Sequence, residues 1–119
     1  MKKTLFFFIA ICFILPGILS QPLWMYNELT SGVTTNLTSA SSNSLNFNNA
    51  QVWVCGNNGV ILKSTNTGLN WANLTGNGIP VNVNLNCICY IGIDTAVTGG
   101  NNGTTAYIYR TVNGGTNWT

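Results

Sequence analysis

The sequence predicts an all-β fold, a partial β-propeller of about two four-stranded antiparallel blades after a signal peptide. Three observations predict it. The stretch from Val60 to Trp71 returns from Ala106 to Trp118, with Ile61, Lys63, Asn66, Gly68, Asn70 and Trp71 matching Ile108, Arg110, Asn113, Gly115, Asn117 and Trp118 without a gap. Trp24, Trp71 and Trp118 are evenly spaced, 47 residues apart, and a fixed period of that size suits a four-stranded blade. The runs Val60-Ile61-Leu62 and Tyr107-Ile108-Tyr109 are β-branched or aromatic, which favours extended, pleated backbone. Each leads into an Asn/Gly turn, Asn66-Thr67-Gly68 or Asn113-Gly114-Gly115. There Asn bonds its own turn backbone and Gly supplies positive φ.

Residues 1–20 combine a basic start (Lys2, Lys3), a short apolar run from Leu5 to Leu15 and the breaker Pro16-Gly17. This order reads as a secretory signal peptide cut after Ser20, and the run is short for a membrane span. Residues 21–44 hold a closing strand, Trp24 to Leu29, and a polar connection from Thr30 to Asn43. The first blade, 45–75, is expected to run through Leu45-Asn46-Phe47, then Gln51 to Gly56, the Asn57-Asn58-Gly59 turn and the hairpin ending at Trp71. The second, truncated blade, 85–119, repeats this order: Leu85 to Ile91, Thr95 to Thr98, the turn Gly100 to Gly103, and the second hairpin. In that alignment Ile88 and Tyr90 match Leu45 and Phe47, Val97 matches Val54, and Ala96 matches Trp53.

Ser64-Thr-Asn66-Thr-Gly68-Leu-Asn-Trp71 and Thr111-Val-Asn113-Gly-Gly115-Thr-Asn-Trp118 resemble the Asp-box (BNR) repeat of sialidase-like propellers, Ser-x-Asp-x-Gly-x-x-Trp. Both copies carry Asn for Asp, which keeps a hydrogen-bonding turn side chain and removes a charge. The run from Leu45 to Thr65 also resembles the repeat of photosystem II assembly-factor-like propellers. The resemblance implies structural roles for Ser64, Asn66, Gly68, Trp71, Thr111, Asn113, Gly115 and Trp118. Trp53, present in one blade only, is the candidate for a blade-specific contact.

The chain has no histidine, so Ser-His-Asp and Cys-His nucleophile arrangements and His-based metal sites are excluded. Its two carboxylates, Glu28 and Asp94, fall at unrelated points of the repeat, and Asp94 sits where Asp is an ordinary turn residue. Sialidase chemistry, as the resemblance implies it, needs a cluster of three arginines. Arg110 is the only arginine here, so no catalytic residue, cofactor or metal is expected. After signal removal the side-chain charges are Glu28, Lys63, Asp94 and Arg110. Such a charge-poor surface offers no footprint for nucleic acid or an anionic membrane. Of the cysteines that follow the signal, Cys87 and Cys89 share a face of one strand. Cys55 either bonds one of them or is a small buried hydrophobe.

These readings converge on an exported, secreted or periplasmic, non-catalytic propeller module that binds a protein or glycan or acts as a scaffold. Two alternatives are the amino-terminal part of a sialidase-like hydrolase and a structural surface or adhesin repeat. A blade needs neighbours on both faces, so missing blades or self-association are expected.

Overall fold

The computed structural model describes residues 29–43 and 50–119. The signal peptide, the closing strand up to Glu28 and the strand expected at Leu45-Asn46-Phe47 lie outside the described residues. Two antiparallel sheets form the fold, as expected of two propeller blades. The first contains β1 (Leu37–Ser42), β2 (Val52–Gly56), β3 (Ile61–Ser64) and β4 (Ala72–Asn73) in that order; the second contains β5 (Asn84–Gly92), β6 (Thr95–Asn101) and β7 (Ala106–Thr111). Past β7 the chain turns back, and the Arg110 and Thr119 amides and carbonyls exchange bonds of 2.8 and 3.0 Å. This repeats the Lys63–Ala72 pairing of the first sheet.

One expectation is corrected here. The stretch 30–43 is not only a connection, because it contains β1, the first strand of blade one. Its sequence, Leu-Thr-Ser-Ala-Ser-Ser, lacks the apolar alternation that marks a half-buried strand. It is a strand because its backbone pairs antiparallel with β2, and its polar side chains are used by the neighbouring blade. Ser39 Oγ and Ser41 Oγ accept from the Ile88 and Tyr90 amides at 3.3 and 3.0 Å, and Thr38 Oγ1 donates to the Leu85 carbonyl at 2.6 Å. The unpaired edge of β5 is thereby satisfied by side chains.

The strand ladders also correct the register of the repeat. Trp53 pairs with Lys63, and Val97 pairs with Arg110. Lys63 and Arg110 are equivalent, so the counterpart of Trp53 is Val97, not Ala96, and Val54 corresponds to Thr98. Matching Val to Val placed β6 one residue out, and a one-residue slip moves every side chain to the other face. The correct register aligns Gly56 with Gly100. Each lies opposite a bulge, between Leu37 and Ser39 or between Leu85 and Cys87. A Cβ on Gly56 would collide with the Asn36 carbonyl, and one on Gly100 with the Asn84 carbonyl. Both glycines are there because backbone passes where a side chain would stand.

Alternation along the strands gives each blade two faces. On blade one, Ser39, Ser41, Trp53, Cys55, Ile61 and Lys63 point toward blade two. The seam is an apolar cluster of Trp53, Cys55, Ile61, Leu85, Ile88, Ala96 and Trp118, completed by Ile79 and Val83. The last two come from the connection after β4. There the Gly59 amide bonds the Val83 carbonyl at 2.7 Å, and the Trp118 amide bonds the Asn77 carbonyl at 2.8 Å. The opposite face of blade one gathers Val54, Val60 and Leu62 with Val33, Val52 and Trp71.

Candidate functional site

The two Asp-box turns fold alike. In the first, Ser64 Oγ accepts from the Gly68 amide at 2.8 Å and from the Asn66 amide at 3.3 Å, and donates to Asn66 Oδ1 at 3.0 Å; Asn66 Oδ1 also accepts from the Asn70 amide at 2.9 Å. In the second, Thr111 Oγ1 accepts from the Gly115 and Asn113 amides at 3.0 and 3.4 Å and donates to Asn113 Oδ1 at 2.9 Å; the Asn117 amide reaches the same Oδ1 at 3.0 Å. Every bond Asn makes here is accepted by its carbonyl oxygen, so a neutral amide serves where the repeat pattern has a carboxylate. The turns need left-handed backbone, with φ of +89° at Gly68 and +85° at Gly115. Gly114 precedes the second of these at φ +68°, but its counterpart in the first turn is Thr67 at φ +60°.

The two repeat tryptophans differ in setting. Trp118 is buried and meets Trp53 edge to face, with ring centroids 5.8 Å apart and planes at 87°. Trp71 is only half-buried. Trp53, the residue expected to make a blade-specific contact, is fully buried in the seam. Its ring also carries the Lys63 ammonium 4.7 Å from the centroid, a cation–π arrangement. Its contacts are therefore with the neighbouring blade and with its own lysine.

Cys55, Cys87 and Cys89 are all free thiols. Cys55 faces the seam, whereas Cys87 and Cys89 lie on the far face of blade two, exposed; the sheet separates them and no disulfide forms. Burial pushes the Cys55 thiol above its ordinary value, and a hydrogen bond with Thr38 only partly opposes this. A neutral, buried thiol is the inert kind. Among the described residues no three His, Cys, Asp or Glu side chains gather as metal ligands would.

Between the two turns lies a groove of about 430 Å³ lined by Lys63, Asn66, Asn70, Trp71, Leu74 and Gly114, among others. It joins an ammonium and two side-chain amides to an indole wall, a set suited to holding a hydrogen-bonding, partly apolar surface. Lys63 is the one titratable side chain lining it. The motifs Ser64–Trp71 and Thr111–Trp118 were visible in the sequence as structural turns. The groove was not, because it forms only when Gly114 of one blade is set beside Lys63 of the other. The period of the repeat was the signal that two such turns would stand side by side.

A family model described as Photosynthesis system II assembly factor YCF48 matches residues 23–119. Neither a curated protein nor a solved structure matches the chain. No helix among the described residues is long and apolar enough to cross a membrane.

Proposed function

The chain belongs to the family of Photosynthesis system II assembly factor YCF48, a family of BNR repeats, and on that premise we propose that it is an exported, non-catalytic scaffold that binds another protein. The family takes its name from an assembly factor, and the reading transfers that kind of task, holding a partner during assembly. It does not transfer the identity of the partner. The observation that carries the reading is the use made of the repeat's polar atoms. Ser64, Asn66, Thr111 and Asn113 spend their oxygens on turn amides, and the adjoining groove offers donors and an indole but no acid–base pair. General acid–base chemistry needs a positioned proton donor and acceptor near the reacting bond. Recognition needs only complementary polar and apolar surface.

Export places the site of action outside the cytoplasm, resting on the basic, apolar and breaker order of residues 1–20. The test is site-specific photocrosslinking from position 70, at the groove, in cells of the source organism. A discrete adduct with one other protein, weakened by Lys63→Ala, is expected. Adducts with no other protein, or turnover of fluorogenic glycosides by the purified chain, would overturn the reading.

A further inference from the structure

Four glycines of the chain directly follow an asparagine, at Asn58-Gly59, Asn77-Gly78, Asn102-Gly103 and Asn113-Gly114. Asn-Gly is the dipeptide most prone to close on itself, because no Cβ on the glycine hinders attack of its nitrogen on the asparagine side chain. That attack requires the nitrogen to be free. In three of the four it is tied. The Gly59 amide donates to the Val83 carbonyl at 2.7 Å, Gly103 to Asn101 Oδ1 at 3.0 Å, and Gly114 to the Asp94 carbonyl at 2.9 Å. Asn102 and Asn113 are held as well, their Oδ1 atoms accepting from the Thr105 and Asn117 amides at 2.9 and 3.0 Å. Gly78 is exposed, and its amide donates to no acceptor among the described residues. Asn77 is held by a single side-chain bond, Nδ2 to the Gly115 carbonyl at 2.9 Å.

We propose that Asn77-Gly78 is a self-modifying site, which loses ammonia to become aspartate or isoaspartate and thereby loosens the blade seam. The Gly78 nitrogen gives up its proton and bonds to Asn77 Cγ. The Cγ–Nδ2 bond breaks, and the side-chain nitrogen departs with that proton as ammonia. Water then adds to either carbonyl flanking the imide nitrogen and opens the ring, so water is the sole co-reactant and nothing is oxidised or reduced. Both residues are fixed by the fold. A Cβ on Gly78, at φ +102°, would collide with the Trp118 carbonyl, so glycine is required where backbone passes this closely. The Gly115 carbonyl can only accept, so the group facing it must donate, as the Asn77 amide does. The Asn77 carbonyl in turn accepts the Trp118 amide at 2.8 Å. A carboxylate at 77 sets oxygen against the Gly115 carbonyl, and isoaspartate also lengthens the backbone between the two residues that grip Trp118. Its indole closes on Trp53 in the seam, and the same connection carries Ile79 and Val83 into the core. No residue lining the groove takes part, so the proposal is independent of the protein-binding reading.

The test incubates the purified chain at neutral pH in heavy-oxygen water, both native and in concentrated urea, and maps the four sites by mass spectrometry. In the native chain Asn77 is expected to convert roughly tenfold faster than Asn58, Asn102 or Asn113, the factor that one broken hydrogen bond supplies. Heavy oxygen is expected at residue 77. In urea the four sites are expected to convert at similar rates. The converted chains, separated by their added charge, are expected to show faster hydrogen exchange at the Trp118 amide and a weakened near-ultraviolet signal from the tryptophan pair. Asn77→Gln, whose larger ring closes slowly, is aged alongside and is expected to keep its starting exchange rate. Native conversion led by another site, or the same lead for Asn77 in urea, would overturn the proposal. So would converted chains whose Trp118 amide exchanges as before, or equal loosening in the aged Asn77→Gln chain.

Discussion

Trp118 stands edge-on to Trp53 across the blade seam, 5.8 Å between ring centroids. It occupies the same repeat position as Trp71, yet Trp118 is 3% exposed and Trp71 only half-buried. The two must therefore differ in what they contribute. Trp118→Ala removes an indole from a closed apolar cluster and is expected to cost about 3–5 kcal/mol. Trp71→Ala leaves part of its site already open to water and is expected to cost about half as much. Urea unfolding of the two variants side by side decides it, and equal losses would mean that the two blade faces are equally covered in solution. The buried indole N–H groups of Trp53 and Trp118 find no hydrogen-bond acceptor among the described residues. Trp118→Phe, which deletes one such group, is thus expected to be far milder than Trp118→Ala.

Ser64 is the hub of the first turn: its buried hydroxyl serves three partners at once, two amides and Asn66 Oδ1. Ser64→Ala strands the buried Gly68 amide and is expected to cost about 1–3 kcal/mol. Ser64→Thr is expected to be close to neutral, because Thr111 makes the same bonds in the second turn. A double-mutant cycle with Asn66→Ala measures their coupling, and full additivity would show that the turn is not held as one network.

Thr67 is a β-branched residue in left-handed backbone, φ +60°, at the place Gly114 fills in the second turn. L-residues carry a steric penalty there of about 1–2 kcal/mol. Thr67→Gly relieves it at some cost in chain entropy and is expected to raise stability by about 1 kcal/mol. Thermal unfolding of the variant is the measurement, and a lowered midpoint would count against the turn geometry.

Much of this was legible because the repeat doubles every local signal. A Ser or Thr, then Asn, Gly and Trp at fixed spacing, written twice, marks a turn whose chemistry is known before its surroundings are. What stayed hidden depended on partners remote in sequence. β1 is polar because β5 uses its hydroxyls, so no pattern within Leu37–Ser42 announces a strand. Ile79 and Val83 lie between the repeats, and only the closing of the seam makes them core. The counterpart of Trp53 was misplaced by one residue because Val54 and Val97 look alike, while the alignment that matters is set by Gly56 and Gly100 opposite their bulges. The groove, needing both blades, was beyond any single motif.

Burial holds the Cys55 thiol above its ordinary value, which makes stability depend on alkaline pH. In the unfolded chain the thiol ionises near its ordinary value, while in the folded chain it stays protonated. The contribution is fully present below the unfolded value and is lost as pH rises from about 9 through the folded value. Cys55→Val, similar in volume and unable to ionise, is expected to flatten this part of the stability profile. Urea midpoints measured from neutral to strongly alkaline pH for both proteins test it. An identical decline in the two would mean that Cys55 is not the group responsible.

Ser39 and Ser41 accept the Ile88 and Tyr90 amides, which are the outward donors of a strand edge that pairs with no other strand among the described residues. Such an edge is ordinarily open to water or to an intruding strand. Ser39→Ala and Ser41→Ala each remove one acceptor while leaving the backbone free to pair as before, so a loss of about 1 kcal/mol apiece is expected. The sharper measurement is hydrogen exchange read at single amides. Ser39→Ala is expected to speed exchange at Ile88, and Ser41→Ala at Tyr90, with little change at amides of β6. Ser→Thr at either position keeps an acceptor and is expected to restore protection. If Ile88 and Tyr90 exchange at wild-type rates in the alanine variants, the hydroxyls of β1 are not what holds the inner edge of blade two, and the seam rests on its apolar cluster alone.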